Sequence, residues 1–331
     1  MTKRKVKSKI KREITTPAKG KDGAQIPQSP FTSHPKPSPQ DCHKVHGILT
    51  KQYGPSQAPN PIPPPSLTVA GCGEVPAVLD AVLRTVISGA TTMVAANKAI
   101  VALVSRHGIA ASGPHRGSVD WASVSRSTVE DLSGTIRMCG CATGKARDIL
   151  AILNMAQISS SSDKQDCSEK HKSNACSKHN HKVGHAADSI VDNEQLSLEH
   201  IRTLPMPDAM HELLRLPRIG LKTAACVILF CLQRPCFAVD THVLRMCRWL
   251  GWVPEKANAE AAFWHCETRV PQELKYPLHQ LFIKHGQLCE RCKAATVPGT
   301  TSWESCLCIM SWVQLVILTA ANPGPVIWSC L

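Results

Sequence analysis

The chain has 331 residues, and 38 lysines and arginines against 25 aspartates and glutamates give it a formal net charge of +13 at pH 7. This excess favours a polyanionic partner such as nucleic acid. The 16 cysteines follow no disulfide-framework spacing and no secretory signal is visible, which argues against a small secreted scaffold and favours an intracellular chain with reduced thiols.

Residues 1–65 differ in composition from the rest of the chain. Residues 3–12 read KRKVKSKIKR, and residues 13–65 are rich in proline, serine and lysine and end in NPIPPP. This composition predicts a disordered, flexible arm, of which residues 30–50 can pack on the core. The dense basic run indicates a nuclear protein or a DNA tether, although an acid-poor N terminus also suits a mitochondrial transit peptide.

The remaining chain divides into four parts. Residues 66–156 are predicted to form a first helical lobe, and the Ser-, Lys-, His- and Asp-rich residues 157–196 a disordered insertion. Residues 197–292 are predicted to form a second helical lobe, followed by an atypical, poorly ordered tail, residues 293–331. The apolar run VQLVILTAA in that tail is shorter than the ~20 residues of a membrane span, so no membrane partner is expected.

The second lobe contains a predicted helical hairpin in the run LLRLPRIGLKTAACVILFCL. Asp208 is predicted to cap a helix that ends at Leu216, Pro217 and Gly220 interrupt the pattern, and TAACVILFCL resumes it as a second helix. Gly220 permits a positive φ or the close approach of another backbone. The amides at the start of the second helix then form a site for phosphate.

Lys222 stands at the start of that second helix, and Asp240 follows in the run FAVDTHVLR. Partial burial beside Leu221 and Thr223 is expected to lower the lysine pKa. A neutral amine can attack a sugar carbon and hold it as a Schiff base, while a carboxylate stabilises the cationic sugar or relays protons. The plainer alternatives are a lysine that contacts solvent or phosphate, and an aspartate that caps the helix from Thr241.

The run LPRIGLKTA followed by AVDTHVLR resembles the helix-hairpin-helix and Gly/Pro-Asp signature of the endonuclease III family of DNA glycosylases and abasic-site lyases. The similarity extends through WLGWVPEKAN, RVPQELKYPLHQLFIKHGQLCERC and LDAVLRTVISGATTMVAANKAIVAL, and the flanks resemble fungal and plant members. The resemblance implies an all-α, two-lobed fold, active as a monomer, with damaged double-stranded DNA in the cleft between the lobes.

The same resemblance implies base excision repair of oxidised pyrimidines or abasic sites. Lys222 matches the family's Schiff-base nucleophile, which attacks the sugar C1′ before β-elimination, and Asp240 matches its essential partner. The residues expected to contact DNA are Pro217, Arg218, Ile219, Gly220, Leu221, Thr223, Thr241 and His242.

Departures from the family pattern fall at positions that face DNA in the family. Arg218 replaces the first glycine of the hairpin, where a positive φ is costly for a side-chain residue, although its charge can add a phosphate contact. Gly89 and Ala90 replace a polar pair whose glutamine fills the hole left by an extruded base, and Met93 replaces an aspartate near the pocket. Because extruding an intact base is costly, these changes shift the predicted substrate toward abasic sites.

Two alternatives remain open from the sequence. The departures also suit a non-catalytic protein that binds damaged DNA and keeps the glycosylase fold, although retention of Lys222 and Asp240 argues against it. A nuclear scaffold that acts through its tails would keep its function without residues 66–292.

The last cysteines bear on a cofactor. Many members of the resembled family bind a [4Fe–4S] cluster through four cysteines separated by six, two and five residues. Here Cys289, Cys292, Cys306 and Cys308 are separated by two, thirteen and one residues. We therefore predict no cluster and no cofactor. The alternative, a zinc site formed by these four thiols, has poor support from this spacing.

Overall fold

The structure is a computed structural model that describes residues 28–168, 196–296 and 299–304. Regular structure in these ranges is helical, and their one backbone bridge, between Ile109 and Val119, is isolated, which confirms the predicted all-α class. In chain order the elements are α1 (Pro39–Tyr53), α2 (Val78–Ser88), α3 (Met93–His107), α4 (Trp121–Ser125), α5 (Val129–Thr135), α6 (Ala142–Ser168), a 3₁₀ turn (Glu199–Arg202), α7 (Met206–Arg215), α8 (Leu221–Cys226), a π turn (Val227–Cys231), α9 (Thr241–Trp249), α10 (Ala259–Arg269), α11 (Gln272–Leu288) and α12 (Thr301–Glu304).

Parts of the predicted arm, insertion and tail lie outside the described residues, namely 1–27, 169–195, 297–298 and 305–331. The predictions made for those stretches stay predictions. Where the chain is described, two boundaries move. Helix α6 runs through Ser168, past the predicted end of the first lobe at residue 156, and the chain is placed from residue 28 onward although the arm was predicted to reach residue 65.

The N-terminal helix packs on the second lobe. Ser38 begins α1 with a capping box, in which its hydroxyl accepts from the Asp41 amide and the Asp41 carboxylate accepts from the Ser38 amide. The buried side chains of Cys42, Val45 and Leu49 face the interior, where α1 lies against α11. Helix α1 is therefore part of the packed core.

The first lobe is organised around α2, which is buried along nearly its whole length. Its charged pair is internal: Arg84 Nε donates to the Asp80 carboxylate at 3.0 Å, and both side chains are about 1% exposed. Ser118 Oγ and Trp121 Nε1 also donate to Asp80, at 2.8 and 3.0 Å. Because these hydrogen bonds satisfy the carboxylate, the buried pair orders the lobe without leaving an uncompensated charge.

The hairpin lies where the two lobes meet. Helix α7 packs on α8, and both α8 and the π turn that follows it pack against α2 of the first lobe. The predicted second helix of the hairpin is thus a short α-helix that widens into the π turn. Helix α9 packs on α10 and α11.

The start of α7 corrects the predicted cap. The helix begins at Met206, with Pro205 at the N-cap position and no side-chain cap, so that Asp208 lies inside the first turn. A proline fits such a first turn because the amide it lacks would have no partner in the helix. Among the described helices, none combines the length and apolarity needed to cross a membrane.

Candidate active site

The hairpin turn takes its positive φ at an unexpected residue. Gly220 is extended, with φ −96° and ψ 176°, and serves as the N-cap of α8, whereas Arg218 has φ 63°. The turn is closed by the Ile219 amide, which donates to the Leu216 carbonyl at 3.2 Å. Ile219 is 6% exposed, so this residue anchors the turn in the core although it was expected to contact DNA.

Arg218 joins the hairpin to the first lobe. Its Nε donates to the Asp148 carboxylate on α6, and its Nη2 lies where a side chain at Gly144 would begin, 2.7 Å from the ideal Cβ position. The predicted phosphate contact of Arg218 would therefore have to compete with the ion pair to Asp148.

Three of the four described non-glycine residues with positive φ gather at one rim of the site. Ala90 has φ 49°, Cys141 has φ 58°, and Arg218 is the third. They are close in space, since the ideal Cβ of Gly140 would lie 2.8 Å from the Ala90 carbonyl oxygen and Arg218 lies over the start of α6. Such conformations cost about 1 kcal/mol or more each and concentrate at functional sites.

Lys222 lies in the first turn of α8 and is half-buried. Its amine is hydrogen-bonded to the thiol of Cys226, one turn further along, and is within electrostatic reach of Cys72 and Asp240. Burial alone would lower the pKa of Lys222, but Cys226, Cys72 and Asp240 outweigh it, so that the pKa lies above its ordinary value. The expected lowering of this pKa was wrong, because the sequence did not show the groups that surround the amine.

Both thiols near Lys222 have raised pKa values. Burial raises the pKa of Cys226 to about 12, and burial also raises the pKa of Cys72. Asp240 supplies the carboxylate within electrostatic reach of the amine. With its pKa raised, Lys222 rests as an ammonium ion.

Asp240 caps α9, in agreement with the plainer alternative that the sequence offered for this residue. Its Oδ1 accepts from the Val243 amide at 2.7 Å, and its side chain is half-buried. The carboxylate is therefore held in one orientation by the helix that it begins. His279 of α11 is buried behind it, with Nδ1 2.8 Å from the Ala238 carbonyl, and burial lowers its pKa, which keeps the ring neutral.

The remaining residues expected to contact DNA lie on both sides of this pair. Gly220 and Thr241 are exposed, at the starts of α8 and α9. His242 is partly exposed, and its Nδ1 lies 3.0 Å from Nη2 of Arg245. The partly exposed members of the hairpin are Pro217, Leu221 and Thr223.

Sequence reasoning missed three residues of the site, namely Cys72, Cys226 and His279. Cys226 follows Lys222 by four residues, a spacing that places both on one helix face, and this signal was available. Cys72 and His279 come from distant segments, and no local pattern indicates them. Outside this site, the described residues with metal-ligand chemistry that cluster are His285, Cys289 and Cys292, at the end of α11.

Comparison with known proteins agrees with this geometry. A family model described as HhH-GPD superfamily base excision DNA repair protein matches residues 83–272, which include Lys222 and Asp240. An Arabidopsis thaliana protein whose name describes it as a DNA glycosylase is 39% identical over 105 residues, 31% of this chain and 36% of that protein. Endonuclease III of Thermotoga maritima is 35% identical over 95 residues, 26% of this chain and 44% of that enzyme. The matches thus span less than half of these curated relatives.

Solved structures share the fold. A non-covalent Endonuclease III–DNA complex and a trapped Endonuclease III–DNA covalent intermediate each superpose with a TM-score of 0.51 at 19% identity, covering 85% of this chain and 99% of theirs. The predicted resemblance and fold class are confirmed.

Proposed function

Because the chain belongs to the HhH-GPD superfamily of base excision DNA repair proteins, we propose that it is a DNA glycosylase with abasic-site lyase activity and that Lys222 is its nucleophile. The observation that carries this proposal is the placement of Lys222 in the first turn of α8 with Asp240, the N-cap of α9, within electrostatic reach of its amine. A protein that only binds DNA has no need of a lysine and a carboxylate paired at the junction of two lobes.

The proposed reaction starts from the ammonium form of Lys222. Asp240 lies within electrostatic reach of the amine, and we propose that its carboxylate takes up the proton, directly or through one water. At an abasic site the neutral amine adds to the C1′ carbon of the open-chain sugar, and water leaves to form a protonated imine. Loss of a proton from C2′ then expels the 3′ phosphate by β-elimination. At a damaged nucleotide the amine instead displaces the base from C1′.

The rim of the site supports abasic sites as the preferred substrate. Ala90 is exposed in the loop between α2 and α3 and carries only a methyl group, and Gly89 beside it carries no side chain. A rim of this kind cannot fill the space left by an extruded base. Extrusion of an intact nucleotide is therefore disfavoured more than binding of an abasic site, where the base is already absent. Oxidised pyrimidines, which stack less stably, are the second substrate class.

Borohydride trapping tests the proposal directly. The full chain is incubated with a duplex that contains one abasic site, and borohydride reduces any imine to a stable covalent adduct. The wild-type chain and the Lys256→Gln control, which changes an exposed lysine outside the site, should both give the adduct. Lys222→Gln should give none while still binding the duplex. An adduct that persists in Lys222→Gln would exclude Lys222 as the nucleophile.

A non-catalytic reader of damaged DNA is the second candidate. The observations that favour it are the raised pKa of Lys222 and the small side chain of Ala90, both of which oppose turnover. In the same experiment this candidate predicts tight binding to the abasic duplex and no adduct from the wild-type chain.

We propose a nuclear location as well. It rests on the basic run in residues 3–12, and mitochondria are the alternative. A fluorescent fusion of the full chain should enter the nucleus, and replacing the lysines and arginines of residues 3–12 with glutamine should abolish entry. A mitochondrial signal from the unaltered fusion would contradict this.

A further inference from the structure

Three potential metal ligands converge at the end of α11. His285 lies in the last turn of the helix, and Cys289 follows four residues later, next to it on the same helix face. The chain then turns back, because the amides of Cys292 and Lys293 both donate to the Cys289 carbonyl, at 3.1 and 2.9 Å. The ligand atoms of His285, Cys289 and Cys292 lie within 4.8 Å of one another, and all three residues are buried.

We propose that His285, Cys289 and Cys292 bind one zinc ion. Cysteine thiolates at a C-x2-C spacing together with an imidazole are a donor set that zinc prefers. Two thiolates balance the charge of the ion, so the buried site carries no net charge. Zn–S bonds of about 2.3 Å and a Zn–N bond of about 2.0 Å place tetrahedral ligand atoms about 3.5 to 3.8 Å apart. Side-chain rotations that close the present spacings, which are at most 4.8 Å, by about 1.3 Å or less reach this geometry.

Surrounding residues already hold the ligands in place. The hydroxyl of Tyr53 in α1 lies 2.9 Å from Nδ1 of His285, which fixes the ring and assigns Nε2 to the ion. Arg245 of α9 donates to the carbonyls of Gly286 and Cys292, both at 2.8 Å. The zinc ion would therefore fasten the turn after α11 to α1 and α9, a structural role in which the three side chains fill three tetrahedral positions.

An iron–sulfur cluster does not fit the described donor set. A [4Fe–4S] cluster is bound by four cysteine thiolates, whereas the described residues at this point supply two thiols and one imidazole. The cysteine spacing in the sequence predicts no metal site here, because that pattern does not include His285 as a ligand. The tertiary structure adds the histidine and so changes the expected ion.

Metal analysis of the full chain tests this proposal. Protein purified without chelator should contain about one zinc ion per chain, and Cys289→Ser/Cys292→Ser should contain almost none. Cys139→Ser changes an equally buried cysteine in the first lobe and should keep the zinc. Removing zinc with a chelator should lower the melting temperature of the wild type and the control, and added zinc should restore it.

Cobalt provides a measurement that needs no variant. Wild-type chain stripped of zinc and titrated with Co²⁺ should develop the intense visible bands of a tetrahedral site and the near-ultraviolet charge transfer of thiolate ligands. Absence of both from the folded chain, or iron together with acid-labile sulfide in the purified protein, would overturn the proposal. Because borohydride trapping is scored separately, neither result bears on the role of Lys222.

Discussion

Raising the pH should accelerate imine formation by Lys222. Only the neutral amine is a nucleophile, and although burial lowers its pKa, Cys226, Cys72 and Asp240 raise it further than burial lowers it. Far below its pKa, an amine gains about tenfold in its neutral fraction for each pH unit. The trapping rate should therefore rise about 100-fold between about pH 7 and about pH 9, as long as formation of the imine limits it.

The assay is single-turnover trapping with the chain in excess over an abasic duplex. Samples are taken over time at each pH and quenched with borohydride at one common pH, so that the reduction itself does not vary. Binding to the duplex is measured at each pH as the control. Asp240→Asn removes a charge that raises the pKa of Lys222, so its profile should shift toward lower pH. A rate that is level from neutral pH upward would show that the bound amine is already neutral, and the reasoning from an ammonium resting state would be wrong.

Three further predictions concern stability and DNA binding. Asp80→Asn leaves its arginine partner charged and buried, so urea denaturation should show a loss of about 3 to 5 kcal/mol, and a loss below about 1 kcal/mol would contradict this. Gly220→Ala places a methyl group where no atom of the chain lies within 4 Å, so the melting temperature should barely change. Fluorescence anisotropy should nevertheless show roughly tenfold weaker binding to DNA. The control Gly134→Ala, at a position with equally open surroundings, should bind DNA normally. Arg218→Gly removes the strain of a positive φ but also removes the partly exposed ion pair to Asp148. Because these two effects oppose each other, urea denaturation should show a change in the free energy of unfolding below about 1 kcal/mol. A loss above about 2 kcal/mol would mean that the ion pair outweighs the strain.

Much of the candidate site was accessible to sequence reasoning because its signals are local. Proline and glycine interrupt the helical pattern between Leu216 and Leu221, and an aspartate directly before a helix caps it through its own side chain. These effects depend on residues within a few positions of one another. The hairpin and the all-α class were therefore predicted correctly, the cap at Asp240 was among the alternatives, and the resemblance added a role for Lys222.

The start of α7 and the conformation of the hairpin turn were predicted less well. Asp208 is a good capping residue, yet the prolines before it begin the helix at Met206. In the turn, Gly220 can take a positive φ but is extended, while Arg218 takes it instead. Ion pairing with Asp148 and contact with Gly144 hold Arg218 there, and both residues lie far away in the sequence.

The sequence by itself determined which residues can act: a lysine at a helix start, a carboxylate at the next, and a basic chain suited to DNA. Only the tertiary structure decided the state in which they rest. The pKa of Lys222 depends on Cys72, which comes from a segment before α2, and the cluster at the end of α11 depends on a turn that returns Cys292 to His285. Electrostatic and metal-binding properties follow distances through space, which the order of residues along the chain does not contain.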